Sequence, residues 1–217
     1  MEIHPLQLEL YGDLSCPWCY LGKHRLARAR AAAGMPPTTL RFRAFQLQPQ
    51  LPAHGLAAGP FYSQLFGGEA AREQAFATVA SLGAEVGISF QLGLISKMPN
   101  TLLAHRLVKL AARQGAEESV TEVVFGAFFE RGVDIGNRDA LLGELEQHAL
   151  PLDLKALADQ LATGEATDEV HADAAVARSL GIEGVPCVVA SGQVALRGAD
   201  SVEAMTSALR GIGAGIG

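Results

Sequence analysis

Ser15-Cys16-Pro17-Trp18-Cys19-Tyr20 is the stretch on which the reading of this chain turns. It follows Leu6-Gln7-Leu8-Glu9-Leu10-Tyr11, whose apolar–polar alternation predicts a half-buried strand. Gly12-Asp13-Leu14-Ser15 reads as a loop, with Ser15 placed to cap a helix. Pro17 suits a first helical turn, where its missing N–H would have had no partner. The helix then runs through Leu21, Arg25, Leu26 and Ala29 to about Gly34, and Pro36-Pro37 stops it. Two cysteines three apart at a strand-to-helix junction have the layout of a redox dithiol.

The chemistry follows from that layout. The thiolate is the nucleophile in disulfide exchange, and an ordinary thiol near pKa ~8.5 is mostly protonated at neutral pH. A helix N-terminus presents unpaired N–H groups and partial positive charge, which favour an anion, and Cys16 falls there. Cys19, one turn on, shares nearly the same face and can resolve a mixed disulfide on Cys16. Lys23 and His24 are candidates to add positive potential. The competing reading of Cys16 and Cys19 is half of a zinc site, which needs two further ligands. The chain has no second Cys-x-x-Cys and its six His are scattered, so no metal site is expected.

Outward from the motif, Thr39–Phe45 is a second strand, giving β-α-β with the dithiol at the carboxyl end of the first strand, the edge that active sites favour in open α/β sheets. Leu51–Pro60 reads as a Pro/Gly-rich loop; Phe61, Tyr62 and Phe66 in the same loop are candidates to line a pocket, and folding into the core is their plainer reading. Helical patterns follow over Glu69–Val86, Asn100–Gln114, Glu118–Glu130, Asp139–His148 and Leu154–Leu161, with almost no strand signal. Asp168–Leu180 is a further helix. Val185–Ala190 and Val194–Leu196 read as a hairpin around Gly192. Ser201–Leu209 closes the chain as a helix capped by Ser201, before a glycine-rich tail. The fold class is therefore α/β, interrupted by an all-helical insertion: residues 1–50 and 167–217 form one α/β domain, and 51–166 the insertion.

With 49% hydrophobic and 18% charged residues the 217-residue chain reads as globular. A net charge of -6 gives no footprint for nucleic acid. No apolar run approaches the ~20 residues that span a membrane, and Met1–Pro5 lacks the pattern of a signal peptide. A cytoplasmic location is expected. Three cysteines are too few for a secreted disulfide scaffold.

The stretch Asp13-Leu-Ser-Cys-Pro-Trp-Cys-Tyr-Leu-Gly22 resembles the DsbA-like branch of the thioredoxin superfamily, and its FrnE-like members most closely. Met98–Leu107, Phe128–Ile135 and Gly181–Val189 fit the same resemblance, which spans nearly the whole chain. It implies a thioredoxin fold carrying a helical insertion, and thiol–disulfide exchange through Cys16 and Cys19. It also implies a cis bond before Pro186, with Pro186 across from the dithiol and the backbone of Val185 pairing with substrate. Pro17 and Trp18 would then contact substrate, a protein or small molecule bearing a thiol or disulfide. No tightly bound cofactor is implied, though glutathione is a candidate co-substrate, and both monomer and homodimer stay open.

Three departures stand out. The buried acid that thioredoxin-like proteins often carry six residues before the first cysteine is Leu10 here. Glu9 and Asp13 flank that position out of register, so proton transfer at Cys19 needs another group or water. Cys187 replaces the usual aromatic after Pro186, as a small core residue or a third thiol within reach of Cys16. Gly198-Ala199-Asp200-Ser201 resembles the corner with which kappa-class transferases hold glutathione, and also reads as an ordinary cap. Asn100 begins a helix in the part of the insertion that covers the site in related isomerases; a cap is its plainer reading. His105 reads as packing or a salt-bridge partner. Two other functions compete with the oxidoreductase: a glutathione-dependent isomerase or transferase of the 2-hydroxychromene-2-carboxylate type, disfavoured by the intact dithiol, and a non-catalytic holdase on the same fold.

Overall fold

The computed structural model describes residues 7–35 and 40–214. Leu6, the Pro36-Pro37 stop, Thr39 and the last three residues of the tail lie outside the described residues.

A four-stranded sheet forms in the order β2-β1-β5-β6 from β1 (Leu8–Gly12), β2 (Leu40–Ala44), β5 (Cys187–Ala190) and β6 (Gln193–Arg197). β1 pairs parallel with β2, Leu10 beside Phe42, and antiparallel with β5, Leu10 beside Val188. Alternation sorts the side chains of the central strand. Leu8 and Leu10 enter the main core, whereas Tyr11 points into a second cluster with Ala177, Ile182, Cys187 and Val189. A one-residue slip would exchange those sets, so two buried faces fix the register. Helix α1 (Pro17–Ala32) connects β1 to β2, and α9 (Val202–Ala214) follows β6 and packs on α1. This β-α-β then β-β-α order is a thioredoxin fold, and the helices between β2 and α8 (Thr167–Ser179) are its insertion.

The insertion contains α2 (Ala58–Phe66), α3 (Glu69–Ala84), α4 (Leu102–Arg113), α5 (Glu117–Arg131), α6 (Arg138–Gln147) and α7 (Leu154–Ala162). α5 is apolar nearly all round and is the buried axis, with Val120, Val124, Phe125, Phe128 and Phe129 all shielded. It ends on Gly132 at φ 68°, where a Cβ would also stand 2.6 Å from the Leu94 carbonyl oxygen. Only glycine meets both demands.

Two expectations change here. Phe61, Tyr62 and Phe66 do not lie in a loop: α2 begins at Ala58 and takes Pro60 into its first turn, where a missing N–H costs nothing. The insertion also holds strand. β3 (Leu56–Ala57) pairs antiparallel with β4 (Lys97–Met98), and two residues are too few to show a period.

The β2 edge is closed by carboxylates. Glu117 accepts from the Phe42 N–H at 2.6 Å, and Asp173 accepts from the Ala44 N–H at 2.7 Å. Acids from α5 and α8 thus satisfy donors that an edge strand would otherwise present to another chain.

Candidate active site

The turn after β1 sets the geometry. Cys16, and not Ser15, is the N-cap of α1, in extended conformation, with Pro17 in the first turn and no acid there. Ser15 instead donates its N–H (3.1 Å) and hydroxyl (3.3 Å) to the Asp13 carboxylate. Asp13 also accepts from the Leu47 N–H at 2.6 Å, which ties the motif loop to the segment after β2. His105 of α4, stacked on Phe42, brings its Nε2 to 3.6 Å from Asp13, and both side chains are shielded from water. Burial alone would raise the Asp13 carboxyl. The facing imidazole and the N–H groups of Leu47 and Ser15 outweigh it and hold the acid below its ordinary value.

Cys16 and Cys19 are free thiols 3.5 Å apart. They differ in surroundings: Cys16 is 5% exposed and lines a cavity, whereas Cys19 is 0% exposed. Burial first, then Cys16, pushes the Cys19 thiol well above its ordinary value; Asp13 adds a further push through its charge against a pull from its backbone N–H. Cys19 is therefore a protonated thiol at neutral pH.

Tyr20, the next residue, anchors the start of α1 on the insertion. Its ring stacks on Phe125 at 4.9 Å and meets Phe90 edge-on at 5.8 Å, and its single hydroxyl proton is shared between carboxylate oxygens of Glu130 (2.7 Å) and Glu122 (3.0 Å). Each ring pair adds about 0.5–1.5 kcal/mol beyond burial. Lys23 and His24 do not face the dithiol as free positive charge; both pair with Glu122. Burial opposes ionisation of Glu122, but His24 and Lys23 bring its carboxyl down to about 2. A depressed acid stabilises the fold above its unfolded value, and that contribution is lost as pH falls toward 2. Glu122 is 39% exposed, so solvent screens much of it. We expect Glu122→Gln to lower stability by about 1–2 kcal/mol at pH 7, partly because the buried Lys23 loses its charged partner. Urea melts should show the gap to wild type narrowing by pH 3; an equal gap at both pH values would contradict the assignment.

At the other end of the chain the Val185–Pro186 peptide is cis. Pro186 packs against α1 at Gly22, where a Cβ would stand 2.9 Å from its Cγ, and its carbonyl accepts from the Gly198 N–H at 2.8 Å. Val185 is half-buried between the two core clusters. Cys187 faces away from the dithiol, in the Tyr11 cluster, while Cys16 and Cys19 belong to the main core on the other face. Burial raises its thiol against the pull of Arg197. Those surroundings suit a core residue and not an exchanging thiol. Ser201 accepts from the Ala204 N–H at 3.2 Å as a helix cap, and Asp200 is exposed beside it. Asn100 is tied down: its amide donates to the Leu51 carbonyl at 2.6 Å and its oxygen accepts from the Leu102 N–H at 3.0 Å. None of these last four side chains lines the cavity at Cys16.

That cavity holds about 450 Å³, between the motif and the insertion. Phe61, Tyr62, Phe66 and Phe76 wall one side, Leu92, Met98 and Phe129 another, and Trp18 stands at its rim, 40% exposed. Phe61, Tyr62 and Phe66 are the aromatics that the sequence offered for a pocket or the core; Phe76 and the pairing of Asp13 with His105 were not singled out. An acid in an otherwise apolar loop three residues before Cys16 was the available signal. Among the described residues no group of His, Cys, Asp or Glu is placed to hold a metal ion, and no helix is long and apolar enough to cross a membrane.

The family model of the DSBA-like thioredoxin domain matches residues 7–210. The chain belongs to the DSBA-like thioredoxin family. Members of that family are typically thiol–disulfide oxidoreductases. A probable DsbA oxidoreductase of Streptomyces coelicolor has a similar structure, with a TM-score of 0.84 at 25% identity over 96% of this chain and 90% of that one. The cytosolic disulfide reductase DsbM of Pseudomonas aeruginosa, solved with GSH, superposes with a TM-score of 0.64 at 16% identity over 96% and 98% of the two chains. A 2-hydroxychromene-2-carboxylate isomerase gives 0.69 at 17% identity over 94% and 95%. These last two likenesses are of fold. No curated protein matches the DSBA-like chain in sequence.

Proposed function

We propose that this DSBA-like protein exchanges thiols and disulfides through Cys16 and Cys19, with Cys16 the attacking sulfur. The observation that carries this reading is the asymmetry of a close pair: Cys16 lines the cavity, while Cys19 is sealed behind it with its proton held on. The Cys16 thiolate attacks a substrate disulfide, forms a mixed disulfide and expels one thiolate. Cys19 then attacks the Cys16 sulfur, closes the Cys16–Cys19 disulfide and releases the second thiol. Two electrons pass from the protein dithiol to the substrate; the reverse sequence oxidises a substrate dithiol.

The proton on Cys19 passes to a departing thiolate. A free thiolate, with pKa near 8.5, binds a proton far more strongly than Asp13, which is held below the ordinary carboxylate value. Asp13 contributes little to the protonation of Cys19, which burial and Cys16 hold: its charge is the smallest push, and its backbone pulls harder the other way. It occupies the neighbourhood left empty by Leu10 without serving as the base. In this reading the Val185-Pro186 corner takes the substrate backbone, and the packing of Pro186 on α1 at Gly22, three residues beyond Cys19, supports it. No tightly bound cofactor enters this scheme.

Substituting Cys19 tests the order of events. In Cys19→Ser the mixed disulfide on Cys16 has no resolving thiol, so the protein should accumulate covalently bound substrate thiol, about one per chain by mass. Accumulation on the Cys16→Ser variant instead would invert the assignment.

A further inference from the structure

The cavity at Cys16 is built for a particular chemistry. Among the described residues its walls carry no ionisable group apart from Cys16 and the hydroxyl of Tyr62, which burial keeps protonated. Beside Cys16, the lining side chains that carry a polar group are Ser15, Trp18, Gln48 and Tyr62. The rings of Phe61, Tyr62, Phe66 and Phe76 hold one another at 5.2 to 6.2 Å between centroids, so the wall is formed without a ligand. At the mouth Trp18, Leu47 and Leu65 are 40%, 41% and 57% exposed, which leaves large apolar side chains in water beside a cavity they also line. The volume lies in the range of small-molecule sites.

We propose that this cavity binds the apolar arm of a small organic disulfide, and so selects substrates by the hydrophobic group attached to the sulfur that Cys16 captures. This rests on the exchange reaction proposed above and names its substrate class. The occupant is a compact group because the cavity holds about 450 Å³ and is lined from the motif loop, the segment after β2, α2, α3, β4 and α5. Glutathione fits poorly. Its carboxylates and ammonium would enter a space that offers no charged partner, and burying unpaired charge is costly. The Gly198–Ser201 corner lies outside the cavity, and Ser201 is already engaged as a cap. The step balances within the dithiol. Cys16 bonds to the sulfur bearing the apolar arm and the other arm leaves as thiolate. Cys19 then bonds to Cys16, the apolar thiol departs, and the protein's two thiol protons end on the two product thiols.

Single-turnover oxidation of the reduced protein tests this, followed through Trp18, the one tryptophan of the chain. The probes are benzyl 2-hydroxyethyl disulfide, bis(2-hydroxyethyl) disulfide, glutathione disulfide and scrambled ribonuclease, each rate divided by that of the same probe with dithiothreitol. The benzyl compound should be favoured roughly tenfold or more over the bis(2-hydroxyethyl) compound, with a rate that saturates, and glutathione disulfide should be slowest. Leu65→Glu, at an exposed position on the rim, should bring that ratio toward one. Equal corrected rates, or preference for glutathione disulfide or the protein disulfide, would overturn the cavity's assignment while leaving exchange intact. Failure of every probe to oxidise the protein would overturn exchange itself, and this proposal with it.

Discussion

Cys16→Ser is expected to abolish disulfide exchange. Insulin reduction in the presence of dithiothreitol, and reactivation of scrambled ribonuclease, should both fall to the rate without protein. The reason is chemical. A serine hydroxyl does not ionise near neutral pH, and among the described residues Asp13 is the carboxylate that acts on the pair. Asp13 is held too acidic to be its base. The fold should survive, since oxygen for sulfur at a buried N-cap costs on the order of 1 kcal/mol, and far-UV circular dichroism would verify it. Cys187→Ser serves as the comparison: this thiol sits on the other face of the sheet, and its loss should leave both activities near wild type. Undiminished activity in Cys16→Ser, or loss of it in Cys187→Ser with the fold intact, would remove the mechanism.

Asp13→Asn is expected to be the most destabilising conservative change at the site. The carboxylate accepts from two backbone N–H groups and one hydroxyl, fully shielded, and faces His105. An amide keeps the volume but turns one acceptor into a donor, so one of those buried donors is left unmatched and the imidazole loses its charged partner. Together these cost about 2–4 kcal/mol, or roughly 5–15 °C in melting temperature for a chain of this size. The pH dependence separates this from a simple packing defect. Asp13 is depressed in the folded state, so its contribution is present above the ordinary carboxylate value of 3.8 and is lost as pH falls below it. The wild-type and variant stabilities should therefore converge under acid. A gap that persists unchanged down to pH 3 would mean that the charge of Asp13 contributes nothing.

The roles of Asp13 and Tyr20 in holding the motif show where reading from sequence stops. The dithiol, its strand-to-helix junction and the returning hairpin were legible because each rests on local rules: alternation in Leu8–Gly12, a proline at the first turn of α1, β-branched residues after Pro186. α3 to α7 were legible as helix-length runs between glycines and prolines, with a clear apolar stripe in α4 and α7. α2 was not, because Gly59 and Pro60 look like loop residues unless they fall in a first turn. β3 and β4 are too short to carry a period at all.

What the sequence determined by itself is the chemistry available: two thiols one helical turn apart, on an α/β frame that carries helices in its middle. Tertiary structure alone decided how unequal those thiols are. Cys19 is sealed, and kept protonated by burial first and then by Cys16, and that burial is made by residues from separate elements. It also decided that Lys23 and His24 are neutralised by Glu122, that Cys187 faces the far side of the sheet, and that four rings from α2 and α3 wall the space beside Cys16. The physical reason is common to all of these. Bonding order along a chain fixes which groups exist and how they repeat, whereas electric fields, exclusion of water and cavity shape depend on distances between residues far apart in sequence.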